Sequence, residues 1–241
     1  MEYKSCSRER FIQDVAEHEL TIIRDEGPEG IRHLSCKKKG TNCYRFEIVC
    51  WPGYLTYYGD MGCWVFSRVT DMLSFFRGNK SWADGAGINP YYWGQKIKSE
   101  DVPSGTKTYS EELFHEHVRD HLKHLDEIPK GLLGALENEL LDVSFDSAQD
   151  AMTAAMNFEH EDFVLQDFWE HDLTDYTLRY IWCCYALVWA IDQYDQQRNK
   201  MVCQSCKEKK GTIRMDHGLN AGVHCDVCWD ALRAECRQRS H

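Results

Sequence analysis

A chain of 241 residues with 43% hydrophobic and 28% charged side chains can bury one sizeable core and keep a small appendage beside it. Its formal net charge of -11 is uneven: residues 200–241 hold 8 Lys+Arg and 5 Asp+Glu, net +3, leaving 20 and 34, net -14, for residues 1–199. An acidic body argues against broad contact with phosphate backbones and leaves room for a basic partner, while no apolar run reaches the roughly 20 residues of a membrane helix and the opening MEYKSCSRERF lacks the apolar centre of a secretory signal.

Residues 7–18 read as a short amphipathic helix with Phe11, Val15 and Ile12 facing inward. Strand-like runs follow at Leu20–Arg24, Ile31–Cys36, Cys43–Cys50, Leu55–Tyr58 and Cys63–Ser67. In the third, Tyr44, Phe46 and Ile48 alternate with Arg45, Glu47 and Val49, the period of a half-buried strand. Short connections such as DEGPEG, WPGY and GDMG imply an antiparallel meander, because parallel pairing needs long crossovers. Beyond Arg68 the period becomes helical. Helices are expected over 70–77, from Pro90 with Tyr92, Trp93 and Ile97 buried, from Ser110 to about Asp126, and near 131–142, 147–158 and 161–169.

The stretch DLTDYTLRYIWCCYALVWAIDQYDQQ, residues 172–197, is the expected centre. Between Tyr180 and Ile191 it has no charged or strongly polar side chain, so every face of the helix must find a partner. Asp172 and Thr174 stand where N-caps belong. Strands first and helices after define an α+β fold, an N-terminal antiparallel meander packed on helices over residues 1–199. A small C-terminal zinc ribbon over 200–241 completes it.

Four of the twelve cysteines carry that last expectation. Cys203-x-x-Cys206 and Cys225-x-x-Cys228 are separated by 18 residues, the spacing of two knuckles that aim four thiolates at one ion. A closed tetrahedron of four thiolates is a structural Zn2+ site, and about 40 residues need the metal's folding energy. His217 and His224 lie close enough in sequence to replace one cysteine. The remaining thiols (Cys6, Cys36, Cys43, Cys50, Cys63, Cys183, Cys184 and Cys236) read as small buried hydrophobes. After the site, Trp229–Arg239 can form a helix carrying Arg233, Arg237 and Arg239, with Lys207, Lys209, Lys210 and Arg214 ahead of it. This basic ribbon is the one part suited to nucleic acid.

The blocks EGIRHLSCKK, CYRFEIVCWPGYLTYYGDMGCWVFSRVTDMLSFFR, INPYYWGQKI and FWEHDLTDYTLRYIWCCYALVWAIDQYD, in this order, resemble a family of uncharacterised phage and prophage proteins over residues 10–197. DHGLNAGVHCDVCWDALRAECRQRS likewise resembles a small Cys-rich module of phage proteins. The resemblance implies a phage-related origin and the cytoplasm of a bacterial host cell as the place of action.

Two further constellations carry polar chemistry. In FHEHVRDHLKHL, His117, His121 and His124 fall along one flank of the stripe Phe114, Val118, Leu122 and Leu125; they suit a metal or simply the polar flank of an amphipathic helix. GDMG with Arg68 and Asp71 offers Asp60 as a catalytic carboxylate or as a turn residue. Trp51, Tyr54, Tyr57, Tyr58 and Trp64 would line a pocket there or pack as one sheet face. Three functions follow in order of expectation. The first is a phage accessory protein that binds and modulates or inhibits a host protein, such as a defence protein or a basic nucleic-acid-binding protein. The second is a nucleic-acid-associated protein acting through the ribbon. The third is an enzyme using Asp60, Arg68 and the His117 flank.

Overall fold

The structure, a computed structural model, describes residues 3, 5–78, 81–85, 87–101, 105–123, 125, 127–200, 205–207, 212–216 and 219–239, with backbone alone for 200, 212–216, 219–221 and 235–239. Ser7 caps α1 (Arg8–Asp14) by accepting from the Arg10 amide. The meander follows as β1 (His18–Asp25), β2 (Arg32–Lys38), β3 (Phe46–Trp51), β4 (Tyr54–Gly59) and β5 (Gly62–Ser67). Asp71 caps α2 (Met72–Phe76) through the Leu73 and Ser74 amides, and Asn89 caps α3 (Pro90–Gly94). Ile97 does not continue α3; it opens β6 (Ile97–Glu100), which pairs with β5 and makes the sheet six-stranded and antiparallel in chain order. A run as short and polar as IKSE has no readable period, so this strand is set by its partner.

The chain then forms β7 (Lys107–Tyr109), α4 (Glu111–Leu122), α5 (Leu132–Leu136) running into a π turn at Glu137–Leu141, and α6 (Ala148–Asn157). Residues 161–169 are not the expected helix. They belong to a small hairpin, β8 (Glu159–His160) with β9 (Phe163–Val164), and a 3-10 turn at Phe168–Glu170. Glu161 and Asp167 take left-handed φ values of 53° and 54°, which a right-handed helix cannot contain. Asp172 and Thr174 do not cap the central helix either. Thr174–Tyr176 is β10, antiparallel to β7, and Asp172 accepts from the Thr174 amide and hydroxyl and from Lys107. The helix α7 starts later and spans Leu178–Lys200. A hairpin, β11 (Thr212–Asp216) with β12 (Leu219–His224), and α8 (Asp226–Arg239) end the chain.

Two compact units result, residues 1–105 with 178–241 and residues 106–177. The boundary expected at 199/200 lies inside the first, where β11 packs beside β1. That unit is organised around α7. All twelve residues from Tyr180 to Ile191 are buried, and the reason is that three sides of the helix are covered. Phe11 of α1 packs edge-on to Trp182 at 4.9 Å and to Trp189 at 6.4 Å. The inner sheet face meets it through Phe46, 5.6 Å from Trp182, and Trp64, 6.1 Å from Tyr180. The Tyr180 hydroxyl donates to the Pro90 carbonyl at α3. The second unit has its own core of Phe114, Val118, Leu132, Leu136, Phe158 and Phe168 with smaller neighbours.

Candidate functional site

The C-terminal cysteines come together from two elements. Cys206 sits in the turn before β11. Cys225 follows β12 and its carbonyl accepts from the Trp229 amide at 2.9 Å, so it stands at the N-terminus of α8 and Cys228 lies in the first turn. The three sulfurs lie within 4.8 Å of one another, with Cys225 buried and the other two half-buried. Cys206 and Cys225 are 3.9 Å apart. That is far beyond a disulfide and close to the roughly 3.8 Å edge of a tetrahedron with Zn–S bonds of about 2.3 Å. The positive end of the helix dipole also suits anionic ligand atoms at this place. Cys203 lies outside the described residues, as does His217. His224 is not one of the gathered ligands: its ring stacks on Trp229 at 5.8 Å and its Nδ1 lies 3.0 Å from the Ser205 hydroxyl. The second cysteine pair therefore opens a helix instead of capping another hairpin.

The other thiols behave as small hydrophobes in part. Cys6, Cys36, Cys50, Cys183 and Cys184 are buried, and burial pushes Cys6 up to about 11 and Cys50 up to about 12. Cys43 is exposed and Cys63 half-buried, so neither is a core residue; the Cys236 side chain lies outside the description.

The histidine flank of α4 is built differently from its sequence pattern. His117 stacks face to face on His171, centroids 4.1 Å apart, and His121 meets His171 edge-on at 5.4 Å. Both His121 nitrogens already face carbonyls, of His117 at 2.9 Å and Gln166 at 3.0 Å. His124 lies outside the described residues. His171 was not legible as a member, because it arrives from the other end of the unit. Among the described residues the only group gathered as metal ligands is the cysteine one.

The hairpin constellation is dispersed. Asp60 accepts from the Tyr44 amide at 2.7 Å, Asp71 caps α2 and pairs with Arg32, and Arg68 is exposed. Tyr57 and Trp64 are fully buried on the inner sheet face, whereas Trp51, Tyr54 and Tyr58 are exposed on the outer one. The five aromatics thus follow strand alternation and line no common pocket. An open hollow of about 610 Å³ borders His18, Lys38 and Tyr44; Lys38 pairs with Glu17 and His18 Nε2 faces the Tyr44 carbonyl, while the buried His18 Nδ1 has no hydrogen-bond partner among the described residues.

The charge is where the fold changes the sequence reading most. Residues 106–177 hold 4 Lys+Arg and 18 Asp+Glu, net -14. Residues 1–105 and 178–199 hold 16 and 16. The body is not acidic throughout: one unit of 72 residues carries the whole excess. Two of its four cations are paired internally, Lys107 with Asp172 and Lys123 with Asp120.

No protein-family model matches the chain, and no curated protein or solved structure matches it either. Among the described residues no helix is long and apolar enough to cross a membrane.

Proposed function

We propose that the chain is a binding protein whose acidic unit, residues 106–177, docks a basic, nucleic-acid-binding protein, and whose C-terminal module is held by a structural zinc ion. The observation that carries the first part is the net charge of -14 confined to 72 residues with a core of their own. So dense a negative surface attracts cationic patches, speeds their encounter and repels nucleic acid. Its carboxylates would occupy the basic surface that phosphates otherwise use. The resemblance of its sequence blocks to phage and prophage proteins supports a host protein as the partner, modulated or inhibited in the bacterial cytoplasm.

The zinc assignment rests on the donor set. Cys206, Cys225 and Cys228 supply three thiolates, and Cys203, three residues before Cys206, is the fourth in the ribbon spacing. Four sulfurs leave no water position, so the ion ties β11, β12 and α8 together and does no chemistry.

The test of the docking reading is capture from bacterial lysate at low salt. The tagged full chain is compared with a variant carrying Glu→Gln at Glu116, Glu127, Glu137, Glu139 and Glu159, all exposed. Wild type should retain a basic nucleic-acid-binding protein that the variant loses. Equal capture by both would remove the acidic unit from the interaction.

A further inference from the structure

Amid the carboxylates of residues 106–177 stands one large exposed aromatic. Trp169 is 60% exposed, more than any other tryptophan of the chain. Six of the other seven are under 10% exposed by the same measure, so leaving this one in water is a local exception. Its position is fixed by its neighbours. Trp169 is the middle residue of the 3-10 turn Phe168–Glu170. Phe168 is completely buried and packs against Phe114 at 5.8 Å and His171 at 5.2 Å. Asp167 enters the turn at φ 54°, a left-handed conformation that aspartate adopts more readily than most residues. The turn is therefore anchored from inside by Phe168, and the indole is presented outward. Asp167 and Glu170, on either side of it, are both exposed.

Tryptophan is the residue most enriched among the few that dominate binding energy, and its indole face is the best aromatic surface for a cation. We infer that Trp169 is the anchor of the acidic unit's docking surface and receives an arginine side chain of the basic partner. The guanidinium plane stacks on the indole, and its N–H groups donate to the carboxylates of Asp167 and Glu170. Arginine fits this arrangement better than lysine. Its flat, delocalised cation stacks and hydrogen-bonds at once, whereas an ammonium is a compact point charge that holds its water.

This inference rests on the acidic-unit reading, and one titration separates the two. Nona-arginine and nona-lysine peptides are titrated calorimetrically into the full chain at low salt, and into Trp169→Ala and Glu170→Gln variants. Wild type should bind the arginine peptide several-fold more tightly than the lysine peptide. Trp169→Ala should weaken arginine-peptide binding about tenfold, about 1.4 kcal/mol, and level the preference, with the melting temperature unchanged because the side chain is exposed. Glu170→Gln should weaken the arginine peptide more than the lysine peptide. If Trp169→Ala binds both peptides as wild type does, the anchor is wrong while the acidic surface stands. If wild type binds neither peptide, the acidic-unit reading fails and the anchor with it.

Discussion

Trp182 illustrates how single residues hold the first unit. Its ring meets Phe11 of α1, Phe46 of the sheet and Tyr44, and its Nε1 donates to Asp14 at 3.0 Å. Truncation opens a cavity between three elements and takes one hydrogen-bond donor from the half-buried Asp14 carboxylate. Trp182→Ala should therefore cost about 3–5 kcal/mol, the upper range for a core aromatic, and more than Trp189→Ala, whose ring retains 8% exposure. Denaturant melts of the two variants decide it; equal midpoints would show that the helix is not held at Trp182. Gly59 carries a different constraint. A Cβ there would lie 2.3 Å from the Arg45 carbonyl and 2.7 Å from Phe46, so the β3–β4 register requires glycine. At the cysteine cluster, the zinc assignment predicts that Cys225→Ser reduces the zinc content of protein purified without added metal from one ion per chain to a small fraction. Wild type that is folded through α8 yet holds clearly less than one zinc would end the zinc assignment.

At the scale of elements, legibility followed hydrophobic pattern. The meander, α2, α4, α6 and the all-round burial of Tyr180–Ile191 were readable because alternation, caps and apolar runs are local signals. What escaped was decided by partners or by backbone: β6 by its pairing with β5, β10 by its pairing with β7, and the 161–169 region by two left-handed residues. The cysteine cluster was readable from spacing, whereas the helix that carries its second pair was expected to begin only at Trp229. The histidine cluster shows the same limit, since α4 revealed His117 and His121 and nothing local pointed to His171. Burial pushes His171 below its ordinary value of 6.5, and the neighbouring His117 and His121 charges push the same way, against the opposing pull of Glu170 and Asp120. The folded ring thus takes a proton less readily than the unfolded one. Its contribution to stability is complete above about 6.5 and is lost as pH falls through that value toward the lowered one. Relative to His171→Phe, wild type should lose melting temperature between pH 7.5 and 5.5. Most carboxylates titrate lower, near 4, and leave this window to the histidines. A gap between the two proteins that does not change with pH would contradict the assignment.

For the whole molecule the sequence placed the negative charge on residues 1–199, and the fold narrows it to 106–177. Composition alone had no means of finding that border, because both ends of the unit are joined to a chain that leaves the first core and returns to it through α7. The consequence is an uneven molecule: a charge-balanced framework, a C-terminal module of net +3, and one unit of net -14, the unit proposed above to dock a cationic protein surface. Association with the partner should be fast at low salt and slow steeply as salt approaches physiological strength, where screening acts beyond about 8 Å. The most direct measurement is displacement. The captured partner is bound to DNA at low salt and titrated with the full chain, while gel mobility reports the DNA. The acidic unit should release free DNA as the chain binds the partner, and the variant with five Glu→Gln changes, lowered from -14 to -9 in that unit, should need a markedly higher concentration. DNA that stays bound in a ternary complex, or that binds the chain itself, would contradict competition by residues 106–177 and put the basic C-terminal module in its place.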